Sequence, residues 1–409
     1  MKKSISLFLI LCICVSFAAC SPPIPTSDQY VEGYDLQNMF GNAPEFRMCA
    51  SDDSYYYLAP TGTIYIIDKQ TLNCVPFCSK PNCKHDNAQC AARTRSQGLW
   101  MYQGALYVSE PREGTTTETN ELESYTLYKI SLDGSSKDEV RYVGMSLMGG
   151  FIHRGYYYAN DFDGVRRYSL TNKEENELIL KTTSEQDYMI RNAHGNSIYI
   201  NITRNNTQPV IEMFRYNLSD LSAPPISVGQ MEVRDDGELN ELMPLYISDE
   251  GILALDGVTA NNQTTVQDFS FFWLDKDGKE KERLDLPKTD IDSSGLCGSI
   301  TADDSYYYRF IVPGIRAKKE DMEKSILHIY DRKTNQLIEK CSFYEEYGCL
   351  YSFVRGDDRY LFIEFEPRYY YDEDGERIVE SDPYRTLCVL DKQQIGNGAE
   401  LRKLLHLTQ

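Results

Sequence analysis

Asp52-Asp53-Ser54-Tyr55-Tyr56-Tyr57 recurs letter for letter as Asp303-Asp304-Ser305-Tyr306-Tyr307-Tyr308. Each copy is a polar turn that feeds an aromatic run, the pattern of a hairpin entering a strand. Looser versions fill the chain between and after them: QGALYV (103–108), RGYYYA (154–159), GNSIYI (195–200), DEGILAL (249–255) and DDRYLFI (357–363). The unit therefore occurs seven times.

A second element follows each copy, at 62–71, 126–134, 165–173, 212–220, 271–278, 326–334 and 386–394. These stretches alternate apolar and polar residues and end in a turn containing Asp or Asn. Alternation of period two marks a strand with one buried face. Short apolar runs precede and follow the pair, as in FRMCA (46–50) and CVPF (74–77). Four strands recurring every 50 residues or so is the period of a propeller blade. The expected fold is thus all-β, a seven-bladed β-propeller of four-stranded blades. Its blades are placed near 46–78, 99–144, 147–181, 187–230, 242–286, 297–343 and 349–407, with a Cys/His loop at 78–98.

Composition sets the outer bounds. Of 409 residues, 41% are hydrophobic and 25% charged, which fits a globular body and excludes a wholly disordered one. The formal net charge of −20 argues against nucleic acid as the main partner, because a polyanion needs a basic surface. Tyrosine is abundant, 31 copies against two tryptophans.

The N-terminus reads as an address. Lys2 and Lys3 precede an apolar stretch from Ile5 to Phe17, too short to span a bilayer and the right length for a signal peptide. Phe17-Ala18-Ala19-Cys20 resembles the bacterial lipobox, with Phe17 where Leu is usual. The expectation is a signal peptide at 1–19 and a lipidated Cys20 carrying acyl chains such as palmitate. The protein would then be exported and anchored by that lipid to the outer face of the cell membrane. Residues 20–45 are the anchor and N-terminal segment: 21–29 read as a proline-stiffened tether, 30–45 as an added strand or a plug.

With those units in hand, the chain resembles the propeller domains of bacterial surface lipoproteins, which are similar in turn to the low-density-lipoprotein-receptor type. The likeness covers 46–407 and rests on turns such as Tyr65–Thr71 and Tyr330–Thr334. It departs from the receptor type in lacking a YWTD tetrapeptide and in having seven units rather than six. The resemblance implies the fold and says little of function.

With the strands of a blade lettered A to D from the axis outward, the A–B and C–D turns share one face and the B–C and D–A connections the other. A–B and C–D turns are tight; B–C connections are long, at 109–124, 256–269, 313–325 and 366–385. Long loops on a rigid scaffold carry function. The expected binding residues are Arg368, Tyr369, Tyr370, Tyr371 and Arg385. The alternative is that Tyr369–Tyr371 merely prolong the second strand of the last blade.

Cys78, Cys83, His85 and Cys90 follow the spacing C-x4-C-x-H-x4-C. Three thiols and an imidazole can supply one tetrahedral Zn²⁺, a structural ion; in an exported protein disulfides are the alternative, with Cys49 or Cys74 as a partner. Cys49, Cys297, Cys341, Cys349 and Cys388 read as apolar thiols in blade cores. The acidic turns at 161–164, 275–278 and 372–375 read as hairpin turns, since each lacks the glutamate of a calcium loop. His153 and His194 are expected in solvent-facing A–B turns.

No G-x-S-x-G, H-E-x-x-H, phosphate-loop or dinucleotide motif occurs. Two functional readings result. The first is a non-catalytic binding or scaffold module for an envelope protein or polysaccharide. The alternative is a carbohydrate-active enzyme, a glycoside hydrolase or lyase with carboxylates or tyrosines at the propeller channel.

Overall fold

A computed structural model describes residues 23–37, 46–112, 124–144, 150–161, 163–204, 210–233, 239–259, 266–285, 300–311 and 317–408. Residues 1–19, expected to be a signal peptide, and Cys20 and Cys297 lie outside these. The molecule is a seven-bladed propeller of four-stranded antiparallel blades. Blade 1 is β1–β4 (Met48–Ala50, Ser54–Leu58, Ile64–Asp68, Cys74–Pro76), and blade 2 is β5–β8 (Leu99–Tyr102, Ala105–Pro111, Ser124–Ser131, Lys137–Gly144). Blade 3 is β9–β12 (Phe151–His153, Tyr156–Asp161, Gly164–Ser169, Asn176–Lys181). Blade 4 is β13–β16 (Gln186–His194, Ser197–Arg204, Val210–Asn217, Ile226–Val233). Blade 5 is β17–β20 (Leu239–Ser248, Gly251–Thr259, Val266–Leu274, Glu280–Asp285). Blade 6 is β21–β24 (Ile300–Ala302, Tyr306–Ile311, Ile326–Asp331, Leu337–Ser342). Blade 7 is β25, β26, β29 and β30 (Cys349–Gly356, Tyr360–Glu366, Tyr384–Asp391, Leu401–Thr408); β27 (Tyr369–Tyr371) and β28 (Arg377–Val379) form a separate hairpin between β26 and β29.

Burial falls from the inner strands outward. β2 is buried at every position, whereas outer β12 and β24 are largely exposed. This explains why second elements alternate while the tyrosine runs do not: second strands are covered on both faces by neighbouring blades. Tyr55, Tyr57, Tyr157, Tyr158, Tyr199 and Tyr308 are almost fully enclosed, each side chain contributing about 1.5–3 kcal/mol through burial.

The turns that carry the sequence resemblance have a mechanism. Asp68 Oδ1 accepts from the amides of Gln70 and Thr71 and from the Thr71 hydroxyl; Asp331 Oδ1 does the same with Thr334. Those two Asp residues also reveal an offset. Asp68 pairs with Ser54, while Asp331 pairs with Tyr306, so the two identical hexapeptides sit one residue out of register. A one-residue shift moves every side chain to the other face of a strand. A run of three tyrosines tolerates it because each face still receives an aromatic ring.

The ring closes by packing, each terminal blade having four strands from its own stretch of chain. Met48, Tyr55 and Tyr57 of blade 1 pack with Val354, Phe362 and Val389 of blade 7. In the same seam Glu364, fully buried, takes a bidentate pair from Arg47 and a hydrogen bond from the Tyr57 hydroxyl.

Residues 23–37 do not hang free as a tether; they lie across the A–B turns, as a plug rather than an added strand. Arg154 organises them. Its Nη1 donates to the carbonyls of Pro25 and Ser27, its Nη2 to Gln29, and its Nε pairs with Asp35 at 2.6 Å. Gly33 accepts from Gln103 N of blade 2, Asp28 from Lys276 of blade 5, and Gln37 exchanges two hydrogen bonds with Ala50 of blade 1. Gly195, at φ +55°, lets the chain pass close: a Cβ there would stand 2.2 Å from the Asp28 carbonyl oxygen.

His153 and His194 depart from their expected exposure. Both are buried, because the plug covers the turns that hold them. His153 Nδ1 accepts from Leu36 N at 3.0 Å and its Nε2 donates to the Gly195 carbonyl at 2.8 Å. His194 Nε2 meets Asp249 at 2.9 Å.

Candidate functional site

Four ligand atoms converge in the segment after β4. Cys78, Cys83, His85 and Cys90 each offer one donor atom, all within 4.8 Å of one another, and this group can hold a metal ion. Cys83 Sγ lies 3.6 Å from Cys90 Sγ, and His85 Nδ1 3.4 Å from the same sulfur. All eight described cysteines are free thiols, so none of the alternative disulfides is formed here. Asn82 and His85 adopt positive φ (58° and 55°), turning the chain twice inside the segment. A hydrogen bond from the His85 backbone N–H draws the Cys83 thiol below its ordinary pKa, while burial pushes Cys90 up to about 11.

The segment is fastened to blade 1 just beyond its last ligand. Ile64 N donates to Ala92 O and Thr94 N to Gly62 O, and Arg93 reaches Thr61 O and Thr63 Oγ1. Gly62 (φ +75°) is required by this closeness, since a Cβ would fall 2.3 Å from Thr94 O. Lys80, Asp86 and Gln89 of the segment form one wall of a cavity of about 720 Å³ against blade 2, whose other wall includes Arg95, Glu110 and Tyr142.

The expected binding residues fall into two places. Tyr369–Tyr371 do not prolong β26; they form β27, paired with β28. Tyr369 and Tyr370 pack half-buried against the core between blades 6 and 7, with Arg377 over the Tyr369 ring at 4.1 Å and Lys319 over Tyr370 at 5.7 Å. Two short helices, α1 (Lys319–Met322) and α2 (Tyr344–Tyr347), brace this hairpin. Tyr371 N donates to Ala317 O, Lys319 pairs with Glu380, and Arg368 pairs with both Glu345 and Glu380 at 3.2 Å. Arg385 is elsewhere, at the start of β29. It pairs with Glu366 at 3.0 Å and stacks 3.8 Å over the ring of Tyr351. Within the two strands of the hairpin the exposed residues are Arg377 and Val379, which sequence reading missed; only their pairing opposite the tyrosines puts them on the surface.

Cys49, Cys341, Cys349 and Cys388 are buried as expected of core thiols, and burial pushes Cys49, Cys341 and Cys349 up to about 12. The acidic turns at 275–278 and 372–375 are built as hairpin turns: Asp275 and Asp372 each accept from two backbone amides of their own loop.

A second cavity, of about 500 Å³, opens on the A–B face between the plug and blades 1, 4, 5, 6 and 7. Tyr30 and Glu32 of the plug line it, with Asp52, Lys69, Glu250 and Arg355 among the blade residues. No sequence motif marks it, because its lining comes from separate turns.

No family model matches the chain, and no curated protein is similar to it in sequence. Among solved structures it is similar to an oligogalacturonate lyase from Vibrio parahaemolyticus, at 8% identity over 83% of each chain, with a TM-score of 0.42. It is also similar to dipeptidyl peptidase 4 of Porphyromonas gingivalis, at 8% identity over 93% of this chain and 60% of that one, TM-score 0.42. An oligogalacturonate lyase in complex with manganese matches at 11% identity over 67% of this chain and 71% of its own, TM-score 0.43. At these identities the likeness does not reach activity.

Proposed function

We propose that this is a lipid-anchored propeller on the outer face of the cell membrane, as in the surface lipoproteins it resembles. It acts there as a non-catalytic binding or scaffold module for an envelope protein or polysaccharide. The observation that carries the reading is the docking of residues 23–37 on the A–B face. With lipid on Cys20, the Pro25 carbonyl held by Arg154 is five residue steps along the chain from the anchor. An extended chain of that length spans under about 18 Å. The A–B face is therefore held toward the membrane and the loop-rich face is turned outward.

On that outward face the connections of blades 6 and 7 are braced on each other through Lys319–Glu380, Arg368–Glu380 and Tyr371–Ala317. A braced platform binds without first having to be ordered. Its exposed strand residues, Arg377 and Val379, pair opposite the tyrosines, a composition suited to a partner surface.

The Cys/His group takes a structural Zn²⁺. Three thiolates and an imidazole are the donor set zinc prefers. A tetrahedral shell with bonds of about 2.3 Å to sulfur and about 2.0 Å to nitrogen sets sulfurs about 3.8 Å apart and sulfur about 3.5 Å from nitrogen. The 3.6 Å and 3.4 Å separations here fit it.

The test is a cross-linking pull-down from native envelope, comparing the lipidated protein with an Arg377→Glu, Val379→Asp double variant. A protein or glycan captured by the first and lost by the second supports the reading. The same material from both baits, or none, overturns the platform as the binding surface.

A further inference from the structure

Buried arginines in this molecule are paired. Arg154 holds Asp35, Arg47 holds Glu364, and Arg141 donates to the carbonyls of Ser169, Asn172, Lys173 and Glu175. Arg355 is different. It sits on β25 with only 7% of its surface exposed, and among the described residues it has no hydrogen-bond or ion-pair partner. Its Nε and Nη1 are enclosed without acceptors, and the side chain lines the 500 Å³ cavity on the A–B face. A guanidinium cannot shed its charge by losing a proton. A buried and unpaired one carries a desolvation cost that an anionic partner would offset.

Among the described residues no carboxylate hydrogen-bonds or ion-pairs with the Arg355 guanidinium, and Asp357 feels its charge only through space. Asp357, nearby in the cavity wall, spends one oxygen on the Tyr55 hydroxyl at 2.6 Å and the other on the amides of Arg359 and Tyr360. The remaining cationic group of the cavity, Lys69, rests 5.0 Å over the Tyr55 ring without an ion pair. Three carboxylates in the same lining, Glu32, Asp52 and Glu250, are exposed and have no hydrogen-bond or ion-pair partner among the described residues. The surplus of negative charge is felt by Asp304, whose carboxyl is raised by burial and then by Glu250. A simple anion would meet these acids, and a simple cation would leave Arg355 unpaired.

We propose that this cavity is a binding site for a small zwitterion, with its anionic group on Arg355 and its primary ammonium among Glu32, Asp52 and Glu250. The volume lies in the range of small-molecule sites. Tyr30, carried in by the plug, offers a ring beside both charges. The site is separate from the loop-rich platform and stands or falls apart from it.

The test is calorimetric titration of the full folded protein with unblocked alanyl-alanine, its N-acetyl form, its C-terminal amide, phosphoethanolamine and acetate. The expected result is saturable binding of the unblocked dipeptide, weakened at least tenfold by blocking either end and at least tenfold by Arg355→Gln. Should Arg355→Gln fail to fold, Asp52→Asn with Glu250→Gln, both on exposed turns, gives the same loss from the ammonium side. Preference for phosphoethanolamine over the dipeptide, with the same variant losses, supports the zwitterion site and assigns it to a headgroup. Binding of neither, equal binding of acetate, or indifference to the blocking groups overturns the proposal.

Discussion

Lowering the pH should loosen the plug through one histidine. His153 is fully buried, and burial holds its pKa down to about 4, with Asp35 pulling weakly the other way. Its partners fix the neutral form, since Nδ1 must accept from Leu36 N while Nε2–H donates to Gly195 O. The unfolded state, with an ordinary histidine pKa of about 6.5, binds a proton more readily. The stabilisation from neutral burial is thus fully present above pH 6.5 and is lost as pH falls through 6.5 toward 4. Linkage between those values gives a loss of about 2 kcal/mol between pH 7 and pH 5 and about 3 kcal/mol in all. Denaturant unfolding of the protein and of His153→Gln, measured at both pH values, isolates this contribution, because Gln keeps an acceptor and a donor but does not titrate. Hydrogen exchange at Leu36 should rise in parallel in the parent protein alone. A difference between the two proteins that stays flat from pH 7 to pH 5 would refute the reasoning.

Three further outcomes are expected. Cys90→Ser should abolish the one zinc ion per chain found by elemental analysis and expose 78–98 to protease, while far-UV circular dichroism keeps its β signature; chelator should do the same to the parent protein. Glu364→Gln should cost about 3–5 kcal/mol in denaturant unfolding, because it leaves the Arg47 charge buried in the seam between the first and last blades; an effect under about 1 kcal/mol would show that the seam relies on packing alone. Gly195→Ala should release residues 23–37, seen as new protease cleavage there, with the blades still folding cooperatively, because the added Cβ strikes the Asp28 carbonyl of that segment.

Fold was legible because blades repeat and because tyrosine can fill either face of a strand. The aromatic runs advertised the doubly covered second strands, and in blades 1 and 6 the Asp-x-x-Thr turns marked where the third strand ends. Repetition also misled. Identical letters at 52–57 and 303–308 imply identical positions, yet the pairings of Asp68 and Asp331 show the two hexapeptides offset by one. Register is a property of the pairing partner, and the partner is not in the hexapeptide. Histidine placement failed for a related reason. A turn residue is exposed by default, and what buries His153 is a segment more than a hundred residues upstream, held by Arg154 and Asp35.

Site legibility follows the same divide between local and assembled chemistry. The Cys/His group lies within thirteen consecutive positions, so its spacing raised a metal site as one of two readings beside disulfides, and the fold brings the four donor atoms together. The platform was half visible: Tyr369–Tyr371 were in plain view, but Arg377 and Val379 become its surface only through the register of β27 on β28. The A–B cavity was invisible, because Arg355, Lys69, Glu32, Asp52 and Glu250 come from four separate places in the chain. What makes the cavity readable in three dimensions is an accounting of charge rather than a motif. Among the described residues Arg47, Arg141, Arg154 and Lys392 have their anions or carbonyls, whereas Arg355 has no hydrogen-bonded partner and faces a space. The plug that forms one wall of that space is the same segment that would fix the protein's orientation to its lipid. A ligand held there would therefore be bound between the propeller and the membrane, on the side away from the braced loops, and the two faces can be tested independently by variants that leave each other's chemistry untouched.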